Sequence, residues 1–275
     1  MVYPISVDCF WVDNFMVVLM IYDRKIGKTI EEKVYKSRAM NFLYNTTLGG
    51  LCACVLRLPI MSKIYAVFHR DINKHFTRKE TRTFEQDKNV LIAPADSCLL
   101  VRTIEKGVMF TIKNKDYTLA RFLKDEKLAQ KYEGGICLIF RLSVYDYHRF
   151  CFIDDGVIQS QKHINGFLDS VNTKKTGKFT LSSNYREISQ MKTSNFDDIV
   201  FAEVGAMLVG RIVNTHKKIE FNKGDEKGYF EFGGSSIVLL LKKDIVKIDE
   251  DILTYSSKGI ETKVKYGERI GVKHV

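Results

Sequence analysis

Beyond Val90, the apolar residues of this 275-residue chain fall into short runs punctuated by Gly, Asn and Asp, the pattern of strands joined by tight turns. The clearest is Ile237 to Leu241, an unbroken apolar run of strand length that predicts a buried strand. Residues 91–101, Val108 to Ile112, Gly135 to Val144 and Asp198 to Val213 are further β-rich segments. One helix is predicted among them, from about Thr118 to Tyr132, with Leu119, Phe122, Leu123 and Leu128 roughly on one face.

The N-terminal part reads differently. Ile30, Val34, Met40, Phe42 and Leu43 recur among charged residues at spacings that suit an amphipathic helix over Ile30 to Leu43. Leu51 to Leu58 and Ile60 to Phe68 continue the helical character, interrupted at Pro59. The apolar run Phe15 to Tyr22 is too short to span a bilayer. Asp8 and Asp13 ahead of it, with no small-residue cleavage site behind it, argue against a secretory signal. Met20 opens a natural beginning, so residues 1–19 read as an extension or an over-called start. Neither a Pro-rich or Gly/Ser-rich linker nor a solenoid-length repeat divides the chain. The expected organisation is residues 1–19, a helical region 20–88 and a β-rich body 89–275, together α+β and predominantly β.

Composition narrows the partners. A formal charge of +10 favours a polyanion, either nucleic acid or an anionic membrane surface. Without zinc-finger spacing or an RNA-binding aromatic signature, nucleic acid is the weaker option. Residues 63–88 are strongly charged, which suits either a solvated face or contact with lipid phosphates. Cys9, Cys52, Cys54, Cys98, Cys137 and Cys151 are scattered without a CxxC pair, which supports reduced thiols and neither a zinc site nor a redox motif.

The candidate chemistry lies just before the buried strand, at Gly233-Gly234-Ser235-Ser236. Glycines there allow close approach to the backbone, and two hydroxyls follow. It is no P-loop, because no Gly-Lys-Ser/Thr closes the glycines and no helical pattern follows. By itself such a sequence is a turn between strands. His69, His75, His163, His216 and His274 have no partner spacing and read as surface or structural histidines, while Asp154 and Asp155 before Gly156 read as turn formers.

Three blocks stand together: APADS at 93–97, RLSVYDYHRFCFIDDG at 141–156 and FGGSS at 232–236. With EVGAMLVGRI at 203–212 and KVKYGERIG at 263–271, they resemble the phosphatidylserine decarboxylase family. The resemblance implies a β-barrel-sandwich-like catalytic body and N-terminal helices seated on a membrane. It implies a proenzyme that cuts its own Gly234-Ser235 bond into a β chain, 1–234, and an α chain, 235–275, with Ser235 converted to a pyruvoyl group. That covalent group, and no metal or nucleotide, is the expected cofactor; a Schiff base between it and phosphatidylserine would give phosphatidylethanolamine and carbon dioxide.

Carried over by position, Ser235 matches the nucleophile and pyruvoyl precursor, Asp96 the charge-relay carboxylate, and His148 the histidine beside the substrate carboxylate. The position of the base histidine is held by Cys151, and Ser97 stands where the family usually has Gly. A thiol of ordinary pKa near 8.5, pushed up further by the Asp96 carboxylate, is expected to be a poor base. His148 is its possible stand-in. This leaves three readings: a phosphatidylserine decarboxylase, an uncleaved member binding anionic lipid, and a decarboxylase of another amino-acid-like amine. The resemblance also implies a homodimer, with each protomer a pair of α and β chains, held peripherally on the cytoplasmic side of the cell membrane, with no nucleic-acid partner.

Overall fold

The run Ser235–Leu241 is buried at every position, and the reason lies on its two sides. It is hydrogen-bonded to strands on both edges and covered by apolar side chains on both faces, so every position along it favours an apolar residue. The computed structural model describes residues 15–36, 74, 77–105, 108–112, 115–143, 145–166, 181–205, 212–231 and 235–274.

In chain order the strands are β1 (Phe15–Asp23), β2 (Lys28–Lys36), β3 (Val90–Ile92), β4 (Ser97–Thr103), β5 (Val108–Ile112) and β6 (Lys115–Thr118). There follow β7 (Ile136–Leu142), β8 (Arg149–Cys151), β9 (Gly156–Ile164), β10 (Arg186–Thr193), β11 (Asp198–Val204) and β12 (Ile212–Asn214). The last are β13 (Glu220–Phe221), β14 (Glu226–Phe230), β15 (Ser235–Leu241), β16 (Val246–Ile248), β17 (Glu261–Val264) and β18 (Arg269–Lys273). A ten-stranded sheet runs in the order β13-β9-β10-β11-β15-β7-β4-β17-β1-β2. Its outer strands do not pair with each other, so among the described residues the sheet is open and no closed barrel forms.

Alternate side chains of the central strands feed two cores. On one face Leu99, Leu138, Phe140, Phe201, Ile237 and Leu239 pack against the small sheets β12-β14-β8 and β16-β18-β3, giving a sandwich. On the other, Cys137, Ile139, Val200, Val238 and Leu240 meet Leu119, Phe122, Leu123 and Leu128. Each such aliphatic or aromatic burial contributes about 1.5–3 kcal/mol.

The predicted helix over 118–132 is two short helices, α1 (Leu119–Leu123) and α2 (Glu126–Gln130). Lys124 between them takes a left-handed conformation, φ 47, and Asp125 accepts from Leu128 N–H to start the second. The buried Arg186 guanidinium donates to the carbonyls of Phe122, at 2.8 Å, and Asn184, at 2.6 Å, closing the end of α1. α3 (Glu250–Ser257) crosses β4, with Ser256 Oγ accepting from Val101 N–H at 3.0 Å.

The expected helix beginning at Ile30 is instead a strand up to Lys36, antiparallel to β1 from Phe15↔Lys36 to Asp23↔Lys28. Ile30 and Val34 are four apart, a spacing compatible with a 3.6-residue and a 2-residue repeat alike, and pairing with β1 decides for the strand. Phe15 to Leu19 belong to this hairpin, while residues 1–14 and the rest of the helical expectation, 37–73, lie outside the described residues. Among the described residues no helix is long and apolar enough to cross a membrane.

Candidate active site

The register of the main sheet brings separate sequence blocks to one end. Ser235, the first residue of β15, is opposite Leu142, the last of β7. On the other side of β7, Cys98 is opposite Arg141, so Ser97 at the start of β4 falls beside Leu142. Val264, which ends β17, is opposite Ser97. The APADS turn, the start of the DYHRFC loop, Ser235 and Lys265-Tyr266 therefore leave the sheet together.

Backbone bonds tie the blocks further. Cys151 N–H donates to Pro94 O at 3.0 Å, joining the DYHRFC block to the turn two residues before Asp96. Phe230 N–H donates to His148 O at 2.9 Å, joining the same block to the strand that leads toward Ser235.

Asp96 is buried and fully engaged. Its Oδ1 accepts from Tyr266 N–H at 2.9 Å and its Oδ2 from Lys265 Nζ at 3.0 Å, with Arg82 Nη2 3.6 Å from Oδ2. The backbone of Ser97 stays clear of the left-handed region, and its hydroxyl donates to Ala95 O at 3.2 Å, so serine is accommodated there without strain.

Cys151 is also buried, and its thiol lies 3.6 Å from Pro94 O. Burial pushes it up to about 12, opposed by a hydrogen bond with Tyr266. The direction is the one expected from the sequence, but its leading cause is desolvation and not Asp96, whose oxygens are occupied by Lys265 and Tyr266. At neutral pH this thiol keeps its proton.

His148 is fully buried, with Nδ1 2.9 Å from Asp146 O. A carbonyl only accepts, so the Nδ1 that meets it carries a proton. Burial raises the nearby Asp146 carboxyl, which accepts from Ser143 N–H at 2.7 Å.

Gly233 and Gly234 lie outside the described residues. Ser235 is fully buried, and its Oγ has no hydrogen-bond partner among the described residues. Among these residues no group of His, Cys, Asp and Glu is arranged to hold a metal. Of the residues set aside in the sequence, Asp154 accepts from Asn195 N–H at 2.7 Å and Asp155 from Lys223 N–H at 2.8 Å. His163 Nδ1 is 2.9 Å from Glu187 Oε1, and His216 Nε2 is 2.9 Å from Glu220 O.

Sequence reasoning missed two features. Residues 77–88, read as part of a charged face, lie over the site: Tyr147 Oη accepts from Glu80 N–H at 3.1 Å, Arg149 Nη2 donates to Thr77 O at 2.6 Å, and Arg82 reaches Asp96. The second is a buried ion pair between Lys227 and Glu203. A lone Glu in the apolar run VFAEV was its available signal, since an unpaired carboxylate is almost never fully buried.

A buried serine at the head of the central strand thus stands at the same end of the sheet as the blocks that carry Asp96, His148 and Lys265. The family model for phosphatidylserine decarboxylase matches residues 71–272, and the chain belongs to that family, an enzyme of the lyase class. It is 44% identical over 286 residues to phosphatidylserine decarboxylase proenzyme 2 of Clostridium acetobutylicum, covering 92% of this chain and 98% of the relative. It is 36% identical over 294 residues to the phosphatidylserine decarboxylase proenzyme of Clostridium botulinum strain Hall, covering 93% and 100%. Over 293 residues it is 37% identical to the proenzyme of Clostridium tetani, covering 93% and 99%.

Proposed function

We propose that this decarboxylase acts on phosphatidylserine, after converting its own Ser235 into a pyruvoyl group by cleavage of the Gly234-Ser235 bond. The observation that carries the reading is the Ser235 hydroxyl, buried and unpartnered at the head of the central strand. A buried hydroxyl normally finds a partner, and one held without it is available for reaction.

Ser235 Oγ attacks the Gly234 carbonyl, and the amide becomes an ester. Loss of the Ser235 α-proton then expels the Gly234 carboxylate, and hydrolysis of the resulting dehydroalanine releases ammonia and leaves the ketone. The pyruvoyl group supplies an electron sink for the pair released as carbon dioxide departs. His148, its ring oriented by the hydrogen bond from Nδ1 to Asp146 O, is the residue beside the substrate carboxylate. Asp96 holds Lys265 and the Tyr266 N–H, which fixes the C-terminal turn against the APADS turn. The enzyme works as a peripheral protein on the cytoplasmic side of the cell membrane, as a homodimer of cleaved protomers.

Cys151, its thiol raised to about 12 and supplying no base, motivates the alternative of an uncleaved chain that binds anionic lipid, which the proenzyme relatives do not favour. Intact mass of the purified chain separates the two. The expected result is two fragments meeting at Gly234 and Ser235, with a blocked N-terminus on the smaller, and Ser235→Ala leaves one chain of 31.7 kDa. A wild-type chain that remains whole overturns the enzyme reading.

A further inference from the structure

Glu203 in β11 is opposite Ile237 in β15, and Val204 is opposite Ser236. Cross-strand partners share a face, as do residues two apart along a strand, so Glu203 and Ser235 are diagonal neighbours on one face. Such positions are about 7–8 Å apart, within reach of a long side chain. Both residues are fully buried, and both Ser235 Oγ and Glu203 Oε2 lack a hydrogen-bond partner among the described residues. Native structures rarely leave one such atom unsatisfied, and here two diagonally neighbouring residues each carry one.

Lys227 determines which carboxylate oxygen is open. Its ammonium donates to Glu203 Oε1 and, at 2.8 Å, to Asn214 Oδ1, and lies 5.1 Å from the centre of the Phe201 ring. Burial raises the Glu203 carboxyl, Lys227 opposes that shift, and Glu187, directly opposite on β10, adds to it as a like charge. Tyr185, whose hydroxyl donates to Glu187 at 3.1 Å, and His163, with Nδ1 2.9 Å from Glu187 Oε1, are further titratable groups of this patch. The carboxylate is thus more basic than an exposed one and keeps one oxygen open, on the sheet face it shares with Ser235.

We propose that Glu203 is the base that takes the Ser235 hydroxyl proton during self-cleavage, with Lys227 as its positioning residue. The proposal rests on the self-cleavage reading above. As Ser235 Oγ bonds to the Gly234 carbonyl carbon, its proton passes to Glu203 Oε2. As the carbon–nitrogen bond breaks, Glu203 returns that proton to the Ser235 nitrogen. The product is an ester and a free amine, and no oxidant or reductant enters. This assigns to a carboxylate on β11 the proton transfer that the Cys151 thiol and the engaged Asp96 do not provide.

The test follows full-length chains made by cell-free synthesis, with intact mass read over time. Wild type is expected to cleave, Glu203→Gln to stay whole with a slowing of at least a hundredfold, and Glu203→Asp to recover part of the rate. Hydroxylamine, which cuts esters but not amides, should release no fragment from Glu203→Gln, because the ester never forms. Cleavage of Glu203→Gln at the wild-type rate, or its scission by hydroxylamine, overturns the proposal while leaving self-cleavage intact. Loss of cleavage in His148→Ala with cleavage kept in Glu203→Gln assigns the base to the histidine and also overturns it. A wild-type chain that never cleaves removes the self-cleavage reading and this proposal together. If Glu203→Gln unfolds at a different temperature from wild type, the wild-type pH profile decides. The rate should drop about tenfold per pH unit below the carboxyl titration, and a rate flat from about pH 4 to 8 overturns the assignment.

Discussion

At the scale of a residue, Cys151 shows how position sets chemistry. A buried thiol with Pro94 O beside it is held in its neutral form, pushed up to about 12. The folded chain therefore keeps a proton that the unfolded chain releases near the ordinary value of 9.0. The sign follows: this contribution to stability is complete below about pH 9 and is lost as pH rises toward 12, with a slope of at most about 1.4 kcal/mol per pH unit. Buried Cys137 is shifted in the same direction. Urea unfolding at pH 8 and pH 10 should show the loss, and Cys151→Ala should make it shallower; an unchanged slope in the variant contradicts the assignment. At pH 8, iodoacetamide should leave the peptide containing Cys151 unlabelled in the native chain and label it after unfolding.

At the scale of an element, the segment 77–88 is held over the site by two glycines that no other residue can replace cheaply. Gly224 and Gly267 have φ of 82 and 74, and a Cβ on either would fall within 2.6 Å of Phe84 atoms. Glu85 N–H donates to Gly267 O at 3.0 Å, and Tyr266 beside it donates its N–H to Asp96. Gly267→Ala combines a left-handed alanine with a clash against Thr83 and Phe84 backbone, and should destabilise by about 2–4 kcal/mol. Gly27→Ala is the control: φ is 63 there, with nothing within 4 Å of the added carbon, so only the conformational preference of about 1–2 kcal/mol is lost. Equal unfolding midpoints for the two variants would show that the segment is not packed as described. The same contrast separates what was legible in the sequence from what was not. Ile237 to Leu241 announced a buried strand because all its neighbours are apolar, and the helix over 118–132 was right in place but not in its break at Lys124. Ile30 to Lys36 was misread because its spacing satisfies two periods. The blocks around Asp96, His148 and Ser235 could be recognised, but Glu203 could not be matched to Lys227, nor Arg82 to Asp96, because strand register and chain crossing create those contacts.

At the scale of the molecule, the formal charge of +10 is unevenly available to a partner. Several cations near the site are already committed within the fold: Arg82 to Glu80 and Asp96, Arg149 to Glu226, Lys265 to Asp96, and Arg24 to Asp249, Asp251 and Glu268. Others are held more loosely and face solvent, such as Lys88, with 76% of its side chain exposed and Nζ 3.8 Å from Asp155. A substrate that is itself an anionic lipid would place this positive excess next to a negative surface, where each basic residue contributes about 1 kcal/mol within a Debye length. That length is about 10 Å at 0.1 M salt and 3 Å at 1 M, so attraction carried by charge fades across this range. Cosedimentation with vesicles containing phosphatidylserine should therefore weaken at least tenfold between about 0.05 and 0.5 M salt, and vesicles of phosphatidylcholine alone should bind little at any salt. Equal, salt-independent binding to both vesicle types would instead assign membrane attachment to apolar insertion, and the basic excess would then serve another partner.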